Sequence, residues 1–319
     1  MLNLFLILFG LILLAKGADI LIEGALGFSK KLGVSELFTG LTLVAFGTSA
    51  PELVVGISAS LNNSGIALGN VLGSNVSNIA LILGMAVLIK PAPMGKSTMK
   101  FEMPFLIIIS TVISSMIIED SSVISRFDGL ILISFLLIFI IYLYMMAKND
   151  KEVQNQLLED IKDDENDEMG WTKIILLSSI GIIMLAIGGD LTVNNSIKLA
   201  RIIGISESLI GVTIVAVGTS LPELVTAIAA SKKGSNDILL GNIIGSNIFN
   251  ILTIVGISSL INDIKPDRGL TFDAFYSLIL AIILLFGTLL SKKKKVGRPL
   301  GFIFILMYIF YIYQSIVLG

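Results

Sequence analysis

The sequence has neither cysteine nor histidine in its 319 residues. That excludes disulfides, thiolate or imidazole ligation of zinc, copper, haem or iron–sulfur clusters, and the histidine base of serine-type hydrolysis. Charge is also scarce, at 14% of residues against 55% hydrophobic, and the mean hydropathy is +0.94. An ordinary water-soluble domain is excluded by that balance. The only metal chemistry left is oxygen ligation, which suits hard cations.

What the chain has instead is apolar length. A bilayer core about 30 Å thick takes roughly 20 apolar residues per helix. Runs at 2–28, 36–61, 65–89, 102–118, 127–147, 171–197, 206–231, 238–262, 271–290 and 299–318 predict ten spans. The first run is expected to stay in the protein and not to be a cleaved leader, because no basic residue precedes Lys16 and residues 10–36 recur in the chain interior. Between the fifth and sixth spans, Lys148–Gly170 carries nine acids and three lysines, and reads as a solvated tether too short for a domain.

Assigning alternate loops to the two sides gathers sixteen basic residues on the tether's side, Lys292, Lys293, Lys294 and Lys295 among them. The other side has five: Arg126, Lys198, Arg201, Lys265 and Arg268. Positive loops stay inside, so the expectation is a multi-pass protein of the cell membrane with the tether cytoplasmic and both termini extracellular.

The chain also repeats itself. Residues 40–53, GLTLVAFGTSAPEL, return at 211–224 as GVTIVAVGTSLPEL, identical at ten of fourteen positions. The offset of 171 also relates Gly10 to Gly181 and Asp19 to Asp190, and GNVLGSNVSN at 69–78 returns at 241–250 as GNIIGSNIFN. Two five-helix repeats follow, 1–147 and 171–319, joined by the linker 148–170. Five is odd, so the second copy enters the membrane with opposite polarity, the inverted arrangement of secondary transporters.

Each copy places a proline inside an apolar span. Pro51 cannot donate to the carbonyl of Gly47, and its ring crowds that oxygen. The second span should therefore break near Gly47–Pro51 and the seventh near Gly218–Pro222, freeing carbonyls such as those of Ala45 and Ala216. Next to each proline stands an acid, Glu52 or Glu223, whose charge at membrane depth costs about 2.5–3.5 kcal/mol or more unless paired or hydrated. A cation is the natural partner. Thr48 and Ser49, like Thr219 and Ser220, precede their glutamate by four and three residues and share its helical face. Asn70, Ser74 and Asn78 form an i, i+4, i+8 polar stripe copied as Asn242, Ser246 and Asn250. Packing explains Gly69-xxx-Gly73 and Gly241-xxx-Gly245 better than ligation does, and Lys16, whose repeat counterpart is Ile187, reads as a snorkelling lysine. For Asp19 and Asp190, cavity lining and helix pairing are equally open.

Two copies of G-T-S-x-P-E, each followed by G-N-x-x-G-S-N, resemble the sodium/calcium exchanger family of the cation/calcium exchanger superfamily, in a compact prokaryotic-type form. The resemblance runs over essentially the whole chain. It implies an all-α polytopic membrane protein of ten transmembrane helices in two inverted repeats, broken at helices 2 and 7, with the first and sixth spans sliding to alternate access. By the same resemblance Glu52 and Glu223 are the central calcium-binding carboxylates. Thr48, Ser49, Thr219 and Ser220, with the carbonyls of Ala45 and Ala216, flank them as sodium and calcium ligands. Ser74 and Ser246 supply hydroxyls, and Asn78 an amide. Asn250 departs from the pattern, since some members, the potassium-dependent branch included, carry aspartate there; the amide argues against potassium coupling.

The implied activity is electrogenic antiport of sodium against calcium. A calcium/proton antiporter is the alternative, since Glu52 and Glu223 could carry protons, although that branch resembles G-N-x-x-E where this chain has G-T-S-x-P-E. An intramembrane aspartyl protease fits poorly, because Ile187-Gly188-Gly189-Asp190 lacks its G-x-G-D pattern, and no enzyme is expected. The expected partners are calcium ions, sodium ions and the lipid bilayer, with no cofactor, no nucleic acid and no obligatory protein partner.

Overall fold

The computed structural model describes residues 2–61, 66–118, 123–149, 169–202, 218–265 and 270–318. Eleven helices carry the fold: α1 (Leu2–Leu32), α2 (Glu36–Thr48), α3 (Ala50–Leu61), α4 (Ala67–Ile89), α5 (Glu102–Met116), α6 (Arg126–Asn149), α7 (Trp171–Ile202), α8 (Leu221–Lys233), α9 (Asn236–Ile261), α10 (Leu270–Leu290) and α11 (Arg298–Leu318). They fill the ten expected positions; α2 and α3 are the two halves of the second span, and the seventh is described only from Gly218. Most of the tether, and Ala216, lie outside the described residues.

The long helices run past the limits that hydropathy set. α1 continues through Ser29-Lys30-Lys31 to Leu32, and α7 through Lys198 and Arg201 to Ile202. Hydropathy finds where the bilayer core ends, and a helix has no reason to stop there. At 1.5 Å per residue each is about 46–48 Å long, so a core of about 30 Å accommodates them only if they tilt.

α1 and α7 pack along one another through heptad-spaced glycines. A Cβ on Gly10 would lie 2.8 Å from the Gly188 carbonyl, and one on Gly17 would lie 3.1 Å from the Gly181 carbonyl. The offset of 171 exchanges these two contacts, since it carries Gly10 to Gly181 and Gly17 to Gly188. Close approach of backbones through small residues is how helices associate where lipid removes the hydrophobic drive.

The loops record the inversion independently. β1 (Ala92–Pro93), after the third span, pairs antiparallel with β2 (Lys295–Val296), after the ninth. Ile124, after the fourth span, bridges Ile264, after the eighth. An offset of about 172 carries Ala92 to Ile264 and Ile124 to Val296, so one pairing is the symmetry mate of the other. Loops after odd-numbered spans lie on one face of the membrane and those after even-numbered spans on the opposite face, so the mates occupy opposite faces.

The centre belongs to the third and eighth spans. In its most apolar window α9 is 89% buried and α4 72%, against 17% for α6. Around them α5 packs on α10, α6 on α9 and α11 on α4, each a symmetric or mated pair. Gly241 and Gly245 let α9 reach α2, since Cβ atoms there would meet the Leu37 and Leu41 carbonyls at 2.8 and 2.9 Å. Among the described residues three stretches widen to π-helical winding: Gly40–Val44, Ser77–Leu83 and Asn250–Val255. The last two match across the repeats: one opens at Asn250, the other at Ser77, next to Asn78.

Gly181→Ala tests the α1–α7 contact. Its Cβ would fall 2.7 Å from the Leu21 backbone nitrogen and 2.8 Å from its Cα, whereas a Cβ on Gly95 meets the Thr98 hydroxyl at an ordinary 3.7 Å. Overpacking costs about 1–3 kcal/mol, so Gly181→Ala should melt below both the parent and Gly95→Ala in detergent. Equal melting temperatures would show that the two helices are not held by this approach.

Candidate functional site

The second span breaks at Ser49. Glu36–Thr48 and Ala50–Leu61 meet at 50°, and Ser49 sits between them at φ −87°, ψ 3°. Ser220 has nearly the same conformation, φ −92°, ψ 10°, where it caps α8 with Pro222 in the first turn. Both serines occupy the sparsely populated bridge region where functional residues often sit. Proline belongs at the start of a helix, where its missing N–H is not required, so the first G-T-S-x-P-E block ends one helical segment and opens another, and the second opens α8. The carbonyl of Ala45 is not released as the sequence led us to expect. It accepts the Ser49 N–H at 3.0 Å and the Thr48 hydroxyl at 3.3 Å, because the chain keeps its α-helical bond through Ser49. The acceptor that proline deprives of a donor is Gly47.

Glu52 and Glu223 therefore stand in the first turns of α3 and α8. Each is 1% exposed. The two breaks meet, because the Ser49 hydroxyl donates to Glu223 Oε1 at 3.1 Å, and Thr48 also interacts with Glu223 through its side chain. The charge that acts on Glu52 is Glu223 itself. Among the described residues no lysine or arginine acts on either carboxylate, and no cluster of three or more acids occurs. The site thus brings two carboxyl groups together with no basic partner among the described residues.

Around them is a shell of neutral polar groups. Thr48 donates to Asn242 Oδ1 at 3.1 Å, tying the break to α9. Ser49, Ser74, Ser220, Ser246, Asn78 and Asn250 are all buried, and Thr219 is partly so. Several oxygens in this group are buried without any hydrogen-bond partner: Glu52 Oε2, Glu223 Oε2, the hydroxyls of Ser74, Ser220 and Ser246, and the amide oxygens of Asn78 and Asn250. A buried polar atom left unpaired costs about 1–3 kcal/mol, more if charged. These seven fall in two symmetry-related sets, and all are oxygens of the kind a hard cation accepts.

Asp19 and Asp190 are exposed on the long helices. Asp190 accepts from Asn194 within α7 at 2.7 Å, so neither is part of the buried cluster. Sequence reasoning missed Asn75 and Asn247, which lie fully inside the polar shell; their signal was the last letter of each G-S-N. It also missed Glu102, a buried acid held by the hydroxyls of Tyr142 and Ser97.

The buried glutamates make a stability prediction. In buffer free of sodium and calcium, Glu52→Gln and Glu223→Gln remove a buried, unpaired charge worth about 2.5–3.5 kcal/mol, so both should melt no lower than the parent. Both should lose the rise in melting temperature that calcium gives the parent by binding the folded state. Calcium stabilising both variants as it does the parent would remove the carboxylates from the site.

Comparison with known proteins gives concordant findings. The profile of the family described as sodium/calcium exchanger protein matches residues 2–145 and 173–317. The chain is 35% identical over 304 residues to inner membrane protein YrbG of Escherichia coli K12, covering 93% of this chain and 91% of that one. It is 33% identical over 350 residues to the sodium/calcium exchanger MaX1 of Methanosarcina acetivorans, covering 97% and 99%. A solved structure of the sodium-calcium exchanger NCX_Mj superposes with a TM-score of 0.81 at 32% identity, covering 98% of both chains.

Proposed function

Because the chain belongs to the sodium/calcium exchanger protein family, we propose that it is a secondary active antiporter, exchanging sodium for calcium across the membrane in which it is embedded. The observation that carries this reading is the pair of buried carboxylates, Glu52 and Glu223, each with an unpaired oxygen and neither with a basic partner among the described residues. A calcium ion brings two charges to two carboxylates and neutralises the pair. Sodium ions reach the same charge balance only by occupying several places, so the neutral ligands matter more to them.

In this reading Glu52 and Glu223 hold calcium, and Thr48, Ser49, Thr219 and Ser220 complete its shell with the carbonyl of Ala216, while the Ala45 carbonyl stays with its helical donors. Ser74, Asn78, Ser246 and Asn250 extend the oxygen lining along the third and eighth spans, where sodium is held. One ion species excludes the other because both need the same carboxylates, and that competition couples the fluxes. The pair α1–α7 slides against the remaining helices to open the site to either side. The domains divide as residues 1–147, the tether 148–170 and residues 171–319, with the tether cytoplasmic and both termini outside. The ions are transported substrates, and the mechanism uses no cofactor and no catalysis.

Reconstituted into proteoliposomes, the protein should accumulate calcium when an outward sodium gradient is applied and not when a proton gradient replaces it. Uptake driven by protons alone would establish the calcium/proton antiporter instead. The orientation has its own check. A single cysteine at Asp160, in a chain that has none, should react with a membrane-impermeant maleimide only after cells are opened. Labelling of intact cells would reverse the topology.

A further inference from the structure

The buried asparagines Asn75 and Asn247 link the third and eighth spans through a directed chain of amides. Asn75 Nδ2 donates to the backbone carbonyl of Asn247 at 3.2 Å. Asn250 Nδ2 donates to Asn75 Oδ1 at 3.1 Å, and Asn78 Nδ2 donates to Asn247 Oδ1 at 2.9 Å. The offset of 172 carries Asn75 to Asn247 and Asn78 to Asn250, so the last two bonds are symmetry mates.

A carboxamide is nearly the same shape turned over, and only its partners decide which end is oxygen. Here a backbone carbonyl decides, because it can only accept. Whatever Asn75 turns toward the Asn247 carbonyl must be its NH2, so its oxygen turns toward Asn250. Meeting an oxygen, Asn250 must offer its own NH2, and its Oδ1 is turned away. That oxygen and its mate on Asn78 are among the buried atoms with no protein partner. The segment opening at Asn250 packs against α3, which carries Glu52, and the Ser77–Leu83 segment packs against α8, which carries Glu223. If the Asn250 amide turned over, an NH2 would replace its unpaired oxygen, and an amide NH2 cannot ligate a cation.

We propose that Asn75 is a positioning residue that locks the amide of Asn250 with its oxygen toward the transported ions. The proposal rests on the ion site described above and adds what sets its polarity. It also gives position 250 a constraint of its own. An ionised aspartate there has no hydrogen to give Asn75, and Asn75 cannot turn over without losing the Asn247 carbonyl.

The test uses the purified full-length protein with Asn75→Leu, which has similar bulk and no polar group, and Asn75→Asp. Calcium alone and sodium alone are titrated against melting temperature, and sodium-driven calcium uptake is measured from pH 5 to pH 8. Partners that orient metal ligands without touching the metal typically contribute about 10–100-fold to affinity. Asn75→Leu should therefore need roughly tenfold more sodium for half-saturation at every pH, while the maximal rate, set by the intact carboxylates, changes less. Asn75→Asp should share the defect at high pH and recover as the pH falls, because a protonated aspartate donates to the Asn247 carbonyl and accepts from Asn250 as asparagine does. Glu52, Asp237 and Asp273, the acids on helices packed against this stretch, are common to parent and variants, so the parent supplies the reference profile. Parent-like half-saturation in Asn75→Leu, or matching pH profiles for the two variants, would overturn the proposal. A parent stabilised by calcium but inactive in sodium-driven uptake would remove the antiport reading alone, whereas a parent stabilised by neither ion would remove both.

Discussion

Two carboxylates buried side by side in a membrane, with no cation among the described residues to balance them, set the terms for everything around them. Glu52 and Glu223 repel one another and have no basic partner among the described residues. Water is excluded from hydrocarbon, so the surrounding groups must either neutralise that charge or deliver an ion that does. The broken helices follow from this demand. The break at Ser49 puts Glu52 in the first turn of a new helix and the Ser49 hydroxyl within reach of Glu223. Proline at the start of each new segment supplies the break at little cost, because that position has no N–H to satisfy.

Duplication supplies the second half of the site. One five-helix unit offers one glutamate, one pair of hydroxyls and one polar stripe; its inverted copy brings the same set from the opposite direction. The mated loop pairings, Ala92 with Val296 and Ile124 with Ile264, hold the two copies in register at both faces of the membrane. The glycine contacts of α1 and α7 join them at the periphery. The amide chain through Asn75 and Asn247 breaks this symmetry in one respect, since Asn75 bonds the backbone of Asn247 while Asn247 Nδ2 has no partner.

Much of this was legible before any coordinates. Helix number, the repeat, the proline breaks and the two glutamates are patterns of residue type and spacing, and physical chemistry interprets each directly. Where the structure adds something, the cause is local. α1 and α7 outrun the apolar stretches because charged residues at the membrane surface remain helical. The π-helical stretches at Ser77–Leu83 and Asn250–Val255 leave no compositional mark, and they alter the i, i+4 geometry from which the stripe was read. Asn75 and Asn247 were overlooked because they sit one residue past the stripe, on a face that ideal α-helical spacing assigns to packing. Ala45 was expected to offer a free carbonyl, but Ser49 retains its bond to that oxygen. Glu102 was passed over at a span boundary, where acids are common; only the tertiary contact with Tyr142 reveals that it is buried.

The central claim is that sodium and calcium compete for one buried pair of carboxylates and never occupy it together. Equilibrium binding of radioactive calcium to the purified protein at rising sodium concentration tests it most directly. The account predicts that bound calcium falls to zero as sodium saturates, with the apparent calcium affinity weakening without limit. A plateau of calcium that sodium cannot displace would mean the two ions bind at separate places, and the coupling derived from Glu52 and Glu223 would be wrong.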